Sequence, residues 1–344
     1  MPFTQQELDN IANSALDFYI KGKPLSQSIQ DKPLLKAFMS KKKTFPGGKG
    51  EISKAVKNDY TSAFAGYSHD DTVTYANPAN VKRTAMPWKE LHSGIQLTHS
   101  ELKTDGISVV DTNGESTAEH SERELTALTN ILEDKFEDLD EGTARSLNEI
   151  FWRDGTQSTK VPPGVLYFLS GTPTTGVVGG IDRALNSWWR NRSSLAIVAS
   201  AASQTLTKTL RSEWRQLRRY GGNPTLILCG SDFLEALDLE VAEKGTYTQQ
   251  GFTKGGATDI GMAEVSMKGA GTFMYDPTLD DLGYEDYCFM IDPRHLYPMV
   301  MDGEDMKRHT PARPAEKYVM YRGITWTGLL FADKLNCHGV YSVT

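Results

Sequence analysis

The stretch best suited to chemistry is Val165–Gly180, VLYFLSGTPTTGVVGG, an apolar run followed by a glycine-rich turn. Such a turn can cradle phosphate with its backbone N–H groups. A P-loop requires Gly-Lys-Ser/Thr after the glycines, and Ile181-Asp182-Arg183 stands there instead. A dinucleotide fingerprint requires G-x-G-x-x-G, and the glycines are not spaced that way. The loop Ser170–Gly180 reads first as a tight turn of the chain between two subdomains. A nucleotide-binding enzyme using that loop is the rival from another functional class.

The remaining reactive side chains form no constellation. The histidines are scattered, and His92 and His99, seven apart in extended chain, are expected on opposite faces. No H-E-x-x-H occurs. Cys229, Cys288 and Cys337 are odd in number and widely spaced, with no C-x-x-C. They are expected as buried, reduced thiols rather than a disulfide framework or a zinc knuckle. The pairs Asp70-Asp71 and Asp280-Asp281 read as solvated loop carboxylates, and no G-x-S-x-G elbow is present. No catalytic, cofactor-binding or metal-ligating residue is singled out.

The elements that would position any site have a distinctive order. Residues 1–45 read as an arm, with a short amphipathic helix on Leu8, Ile11, Ala15 and Phe18. The first fifty residues carry eight Lys against Glu7, Asp9, Asp17 and Asp31, on a chain whose net charge is −7. That basic segment reads either as an arm docking on an acidic neighbour or as a solvated tail. The polar N-terminus is not that of a signal peptide, and no apolar run is long enough for a membrane span. Around Ile52–Val56 and Val81–Ala85 the chain alternates as strands, with a long polar stretch between them. This reads as a hairpin projecting onto another molecule.

Ser121-x-x-Glu124 is a capping box opening a helix with Leu125, Leu128, Leu132, Phe136 and Leu139 on one face. Its other face is acidic: Glu133, Asp134, Glu137, Asp138 and Asp140. Gly142 is a potential break before Ala144–Trp152. Residues 190–305 read as an α/β unit. It has a helix at Gln204–Tyr220, a strand at Thr225–Cys229, a helix capped by Ser231, and strands at Gly271–Tyr275 and Tyr287–Ile291. Arg215, Arg218 and Arg219 suit the negative end of the first of these helices, and an intersubunit ion pair or nucleic acid would suit them too. The tail Lys317–Val343 reads as one or two long strands.

The segment Gly180-Ile181-Asp182-Arg183-Ala184-Leu185-Asn186-Ser187-Trp188-Trp189-Arg190-Asn191 resembles a stretch of phage major capsid proteins, roughly G-G-I-D-R-x-x-x-x-W-W-R. Trp88–Ile95 and Glu101–Ile107 resemble the strands that precede the spine helix in the same group. With the order arm, hairpin, long helix, α/β unit and closing strands, the chain resembles the Hong Kong 97-like capsid family of tailed bacteriophages over nearly its whole length.

The resemblance implies an α+β fold in four parts. These are an N-terminal arm (1–45), an extended loop (46–92), a peripheral domain (93–189 and 306–344, spine helix near 121–153) and an axial domain (190–305). It implies a structural, non-enzymatic subunit that assembles as hexamers and pentamers into the virion shell in the host bacterial cytoplasm. The partners it implies are a separate scaffolding protein, a portal, a decoration protein and weakly held double-stranded DNA. Subunit contacts are expected at Lys41, Lys42, Lys43, Lys49, Lys54, Lys57, Glu133, Asp134, Glu137, Asp138, Asp182, Arg183, Trp188, Trp189 and Arg190. Some relatives cross-link through a loop Lys and a neighbour's Asn, for which Lys49, Lys54 or Lys57 and Asn336 are candidates. An encapsulin-like cargo compartment shares the fold and is the alternative.

Overall fold

The computed structural model describes residues 30–58, 64–73, 75, 80–98, 100, 104, 122–200, 203–242, 271–309 and 319–344. The arm helix expected at Leu8–Phe18, and His99, lie outside them. In chain order the elements are α1 (Pro33–Met39), β1 (Lys43–Phe45), β2 (Glu51–Lys57), β3 (Val81–Pro87), β4 (Lys89–Thr98) and α2 (Glu122–Trp152). Next come α3 (Val165–Phe168), β5 (Val177–Val178), β6 (Ile181–Asp182), β7 (Arg192–Ile197), α4 (Thr205–Arg218), β8 (Leu226–Cys229) and α5 (Ser231–Ala242). The chain closes with β9 (Phe273–Tyr275), α6 (Pro277–Asp281), β10 (Tyr287–Ile291), β11 (Leu296–Met301), β12 (Lys307–His309), β13 (Val319–Ala332) and β14 (Gly339–Val343). The described chain divides into two compact units.

The smaller unit holds residues 90–147 and 303–326. The first half of β13 pairs with β12 and with β4 there. The helix α2 runs unbroken through Gly142 for 31 residues, about 45 Å at ~1.5 Å per residue. Leu139 and Leu147 are buried while Glu137 and Asp138 are exposed, as the stripe predicts. Asp140 pairs with Arg308 at 2.8 Å.

The larger unit holds residues 31–89, 148–302 and 327–344. Its main sheet has the order β7-β14-β10-β8-β9. Leu206, Leu210, Trp214 and Leu217 of α4, with Phe233 and Leu237 of α5, pack on one face with Ile227, Cys229, Cys288, Met290 and Tyr341. On the other face Phe289 meets Trp152 at a ring separation of 5.1 Å. Both faces are covered, so the central strands are apolar throughout rather than alternating. All three cysteines are buried and free, as expected.

Three findings differ from the expectations. The sheet takes in β14, inserted parallel to β7 and antiparallel to β10, so the closing strand is part of the α/β sheet. Residues 33–45, expected as arm, belong to the core of this unit: Leu34 and Phe38 are fully buried and β1 pairs in parallel with β11. The signal was present, since Pro33 at the first helical position followed by an apolar i, i+4 pair is a helix start with a face to bury. Ser231 is the first residue of α5 rather than its cap. Its N–H donates to Asp280 at 3.0 Å, so a carboxylate read as solvated supplies the cap from another element.

Another distant cap holds α4. Glu240 of α5 is 2% exposed and accepts hydrogen bonds from the N–H groups of Ser200, Leu206 and Thr207 and from the Thr207 hydroxyl. Burial opposes its charge, but these donors, led by Thr207, win and hold its pKa below the ordinary value of 4.5.

Candidate assembly interface

The glycine-rich stretch is a folding device. Strands β5 and β6 form a two-residue hairpin with Gly179 and Gly180 at the turn, φ +58° and +79°. Both central residues are left-handed, the condition for the tight turn that matches strand twist. Gly179 also lies against β3: its carbonyl accepts from Ala85 N–H at 3.1 Å, and a Cβ there would collide with Thr84 and Met86. Several N–H groups in and beside this loop are committed within the subunit. Ser170 donates to Asn191 Oδ1, Thr172 to Ser170 Oγ, and Arg183 to the Gly176 carbonyl. A shallow cleft of about 410 Å³ beside this loop is lined by Arg153, Gln157, Ser170, Tyr284 and Tyr287 among others.

The residues that carry the family resemblance lock this turn in place. Asp182 Oδ1 accepts from Ala184 N–H at 2.8 Å. Arg183 is 2% exposed and donates Nη2 to the Phe168 carbonyl. Burial, opposed by Tyr167, lowers its pKa to about 10. Trp189, 1% exposed, donates its indole N–H to the Val178 carbonyl at 3.0 Å. Arg190 clamps the carbonyls of Arg183 and Ala184. Asn191 both donates to and accepts from the backbone of Ser170. Arg183 and Trp189 are thus buried inside the subunit, where Nη2 and the indole N–H each bond a backbone carbonyl. Asp182, Trp188 and Arg190 are half-buried.

The basic candidates lie elsewhere in the same unit. Lys41, Lys42, Lys43, Lys49, Lys54 and Lys57 are all exposed. Lys43 caps the Tyr297 ring at 3.5 Å and Lys54 pairs with Asp333 at 2.7 Å. Asn336 keeps its side-chain carbonyl buried. Lys49, Lys54 and Lys57 sit on or beside the β2–β3 hairpin, which pairs in register from Glu51↔Pro87 to Lys57↔Val81 as expected. Its outer segment is less polar than the sequence suggests. Phe64, Tyr67 and Tyr75 are exposed there at 109%, 72% and 94%. Sequence reading missed them because they are dispersed among Gly, Ser and Asp. On α2, Glu137 and Asp138 are exposed; Glu133 and Asp134 stand on the same helix.

Comparison with solved structures identifies the fold. The chain is similar to a chain of the cyanophage A-1(L) capsid asymmetric unit, with a TM-score of 0.65 at 13% identity, covering 93% of this chain and 95% of that one. It is similar to the capsid subunit of a native GTA particle, with a TM-score of 0.55 at 13% identity and 97% and 98% coverage. The SrpI encapsulin of Synechococcus elongatus matches at a TM-score of 0.50 and 9% identity, covering 99% and 96%. No protein-family model and no curated protein sequence matches the chain. The chain thus has the α+β, Hong Kong 97-like capsid fold that the Gly180–Asn191 stretch and the element order imply. Among the described residues no helix is long and apolar enough to cross a membrane.

Proposed function

We propose that this chain is the major shell-building subunit of a tailed-phage head, closing as hexamers and pentamers around double-stranded DNA, with no catalytic site of its own. The observation that carries the reading is the likeness to a phage capsid subunit over 93% of this chain and 95% of that one. The committed backbone of the glycine turn argues in the same direction, against nucleotide chemistry. The hairpin of one copy, bearing Lys49, Lys54, Lys57 and the bare aromatics, lies over a neighbour whose spine helix offers Glu133, Asp134, Glu137 and Asp138. Lys41, Lys42, Lys43, Asp182, Trp188 and Arg190 supply further contacts. Many moderate contacts of this kind, multiplied by symmetry, hold a shell closed.

The division into arm, extended loop, peripheral domain and axial domain belongs to this reading, with residues 33–45 and the closing strand β14 moved to the unit that holds the main sheet. So do a separate scaffolding protein, a portal, a decoration protein, assembly in the host cytoplasm and residence in the virion. A net charge of −7 suits a shell that holds packaged DNA only weakly and without sequence preference. The encapsulin reading shares the fold, so particle contents decide between the two. Gradient-purified native particles are expected to contain nuclease-protected double-stranded DNA. Particles filled with one protein cargo and no DNA would replace the phage head by a cargo compartment.

A further inference from the structure

We propose that Asp292, His295 and Cys337 form a binding site for a zinc-like divalent metal ion that staples the β10–β11 turn to the β13–β14 connection. One ligand atom from each residue lies within 4.8 Å of the other two. A carboxylate oxygen, an imidazole nitrogen and a thiolate are a borderline-soft set that suits zinc and not calcium or magnesium, which take oxygen ligands.

The two loops are built against each other. Asp292 and His295 stand three apart in a turn closed by His295 N–H to the Asp292 carbonyl at 3.0 Å. Asp333 N–H donates to the His295 carbonyl at 3.0 Å. The Asp333 carboxylate accepts from His295 Nδ1 at 2.8 Å, which leaves the lone pair of the neutral ring on Nε2. A carboxylate orienting a histidine in this way is the usual support of a metal-ligating imidazole.

His338 stands beside this cluster. It is fully buried, and its Nδ1 accepts the Asp292 N–H at 3.1 Å, which ties the Asp292 backbone to the β13–β14 connection.

Arg294 clamps both Asp292 oxygens, Nε to Oδ1 at 2.9 Å and Nη2 to Oδ2 at 2.6 Å, with its side chain 54% exposed, and the N–H groups of Arg294 and Asn223 bond the same carboxylate. The guanidinium is the cationic competitor that a metal ion must displace. Binding therefore exchanges a guanidinium for a metal ion on Asp292, and the Cys337 thiol proton leaves to solvent, one per metal.

The test is titration of the purified, chelator-treated chain with Co²⁺, then Zn²⁺. The expected result is a thiolate-to-cobalt charge-transfer band saturating at one ion per chain and abolished by Zn²⁺. Cys337→Ser removes the band, while Cys229→Ser and Cys288→Ser keep it. Asp333→Asn weakens binding roughly ten- to a hundred-fold. Arg294→Ala, which takes the competing guanidinium off Asp292, tightens binding and keeps the test decisive should Cys337→Ser fail to fold. Absence of a thiolate band in the folded wild-type chain, or its persistence in a folded Cys337→Ser chain, overturns the proposal. So does unchanged or weakened affinity in Arg294→Ala.

Discussion

Trp152, the last residue of α2, donates its indole N–H to Asp276 Oδ2 at 2.8 Å, and the same carboxylate caps α6 through Thr278 N–H at 3.0 Å. Asp276 is fully buried, and burial raises its pKa. Neighbouring Asn148 takes Leu35 N–H at 3.0 Å and gives its amide to Thr278 Oγ1 at 2.8 Å. The C-terminal turn of the spine helix is thus bolted by polar bonds in a dry site, where an orphaned group is costly.

Trp152→Phe keeps the ring packing on Phe289 and leaves Asp276 one donor short. The expected loss is about 1–3 kcal/mol in subunit stability, read from the denaturant midpoint. Asp276→Asn in the same assay is expected to be destabilising as well, because Asn turns one acceptor into a donor facing donors.

Glu240 gives the subunit a pH dependence. Its folded pKa is depressed, so its contribution is fully present above the unfolded value and is lost as pH falls through the folded one. Glu240→Gln is expected to cost about 1–2 kcal/mol at pH 7. The gap between variant and wild type closes as pH drops below the ordinary carboxylate value of 4.5. Thermal unfolding across pH 3–7, about the range of carboxylate titration, checks this.

The two glycines of the turn separate folding from phosphate binding. Gly180→Ala meets open space and carries only the left-handed backbone cost, about 1–2 kcal/mol. Gly179→Ala adds collision with Thr84 and Met86, about 1–3 kcal/mol more. Both effects appear in unfolding curves, and nucleotide at millimolar concentration shifts neither variant nor wild type. A nucleotide-dependent rise in the wild-type midpoint would reinstate the enzyme reading.

Periodic, local features were legible in the sequence. Leu206, Leu210, Trp214 and Leu217 mark one face of a helix whatever surrounds it, and all four are buried. The β2–β3 pairing followed from alternation on both sides of a polar stretch. Non-local choices were not legible. Nothing in GVYSV says that it slots between β7 and β10, because strand order is settled by which neighbour completes the core. Caps supplied from afar, Asp280 to α5 and Glu240 to α4, look like surface carboxylates in the sequence. The Asp182–Asn191 stretch correctly named the fold, and within it Arg183 and Trp189 hold the turn. A guanidinium facing backbone carbonyls is indistinguishable by residue type from one facing another chain.

Surface charge should govern association without touching the fold. Lys49→Glu, on the hairpin side, and Asp138→Lys, on the spine helix, are each expected to leave the unfolding midpoint within about 0.5 kcal/mol of wild type. Each is also expected to reduce assembly, and mixing the two variants to recover part of it. Light scattering during assembly at low and high salt reads the effect, which weakens as salt screens the charges.

The central claim is that this chain tiles with itself. Electron microscopy of the purified chain at high protein concentration, with and without co-expressed scaffold, tests it most directly. Rings of five and six copies or closed shells are the predicted result, made uniform in size by the scaffold. A monodisperse monomer under all of these conditions would contradict it.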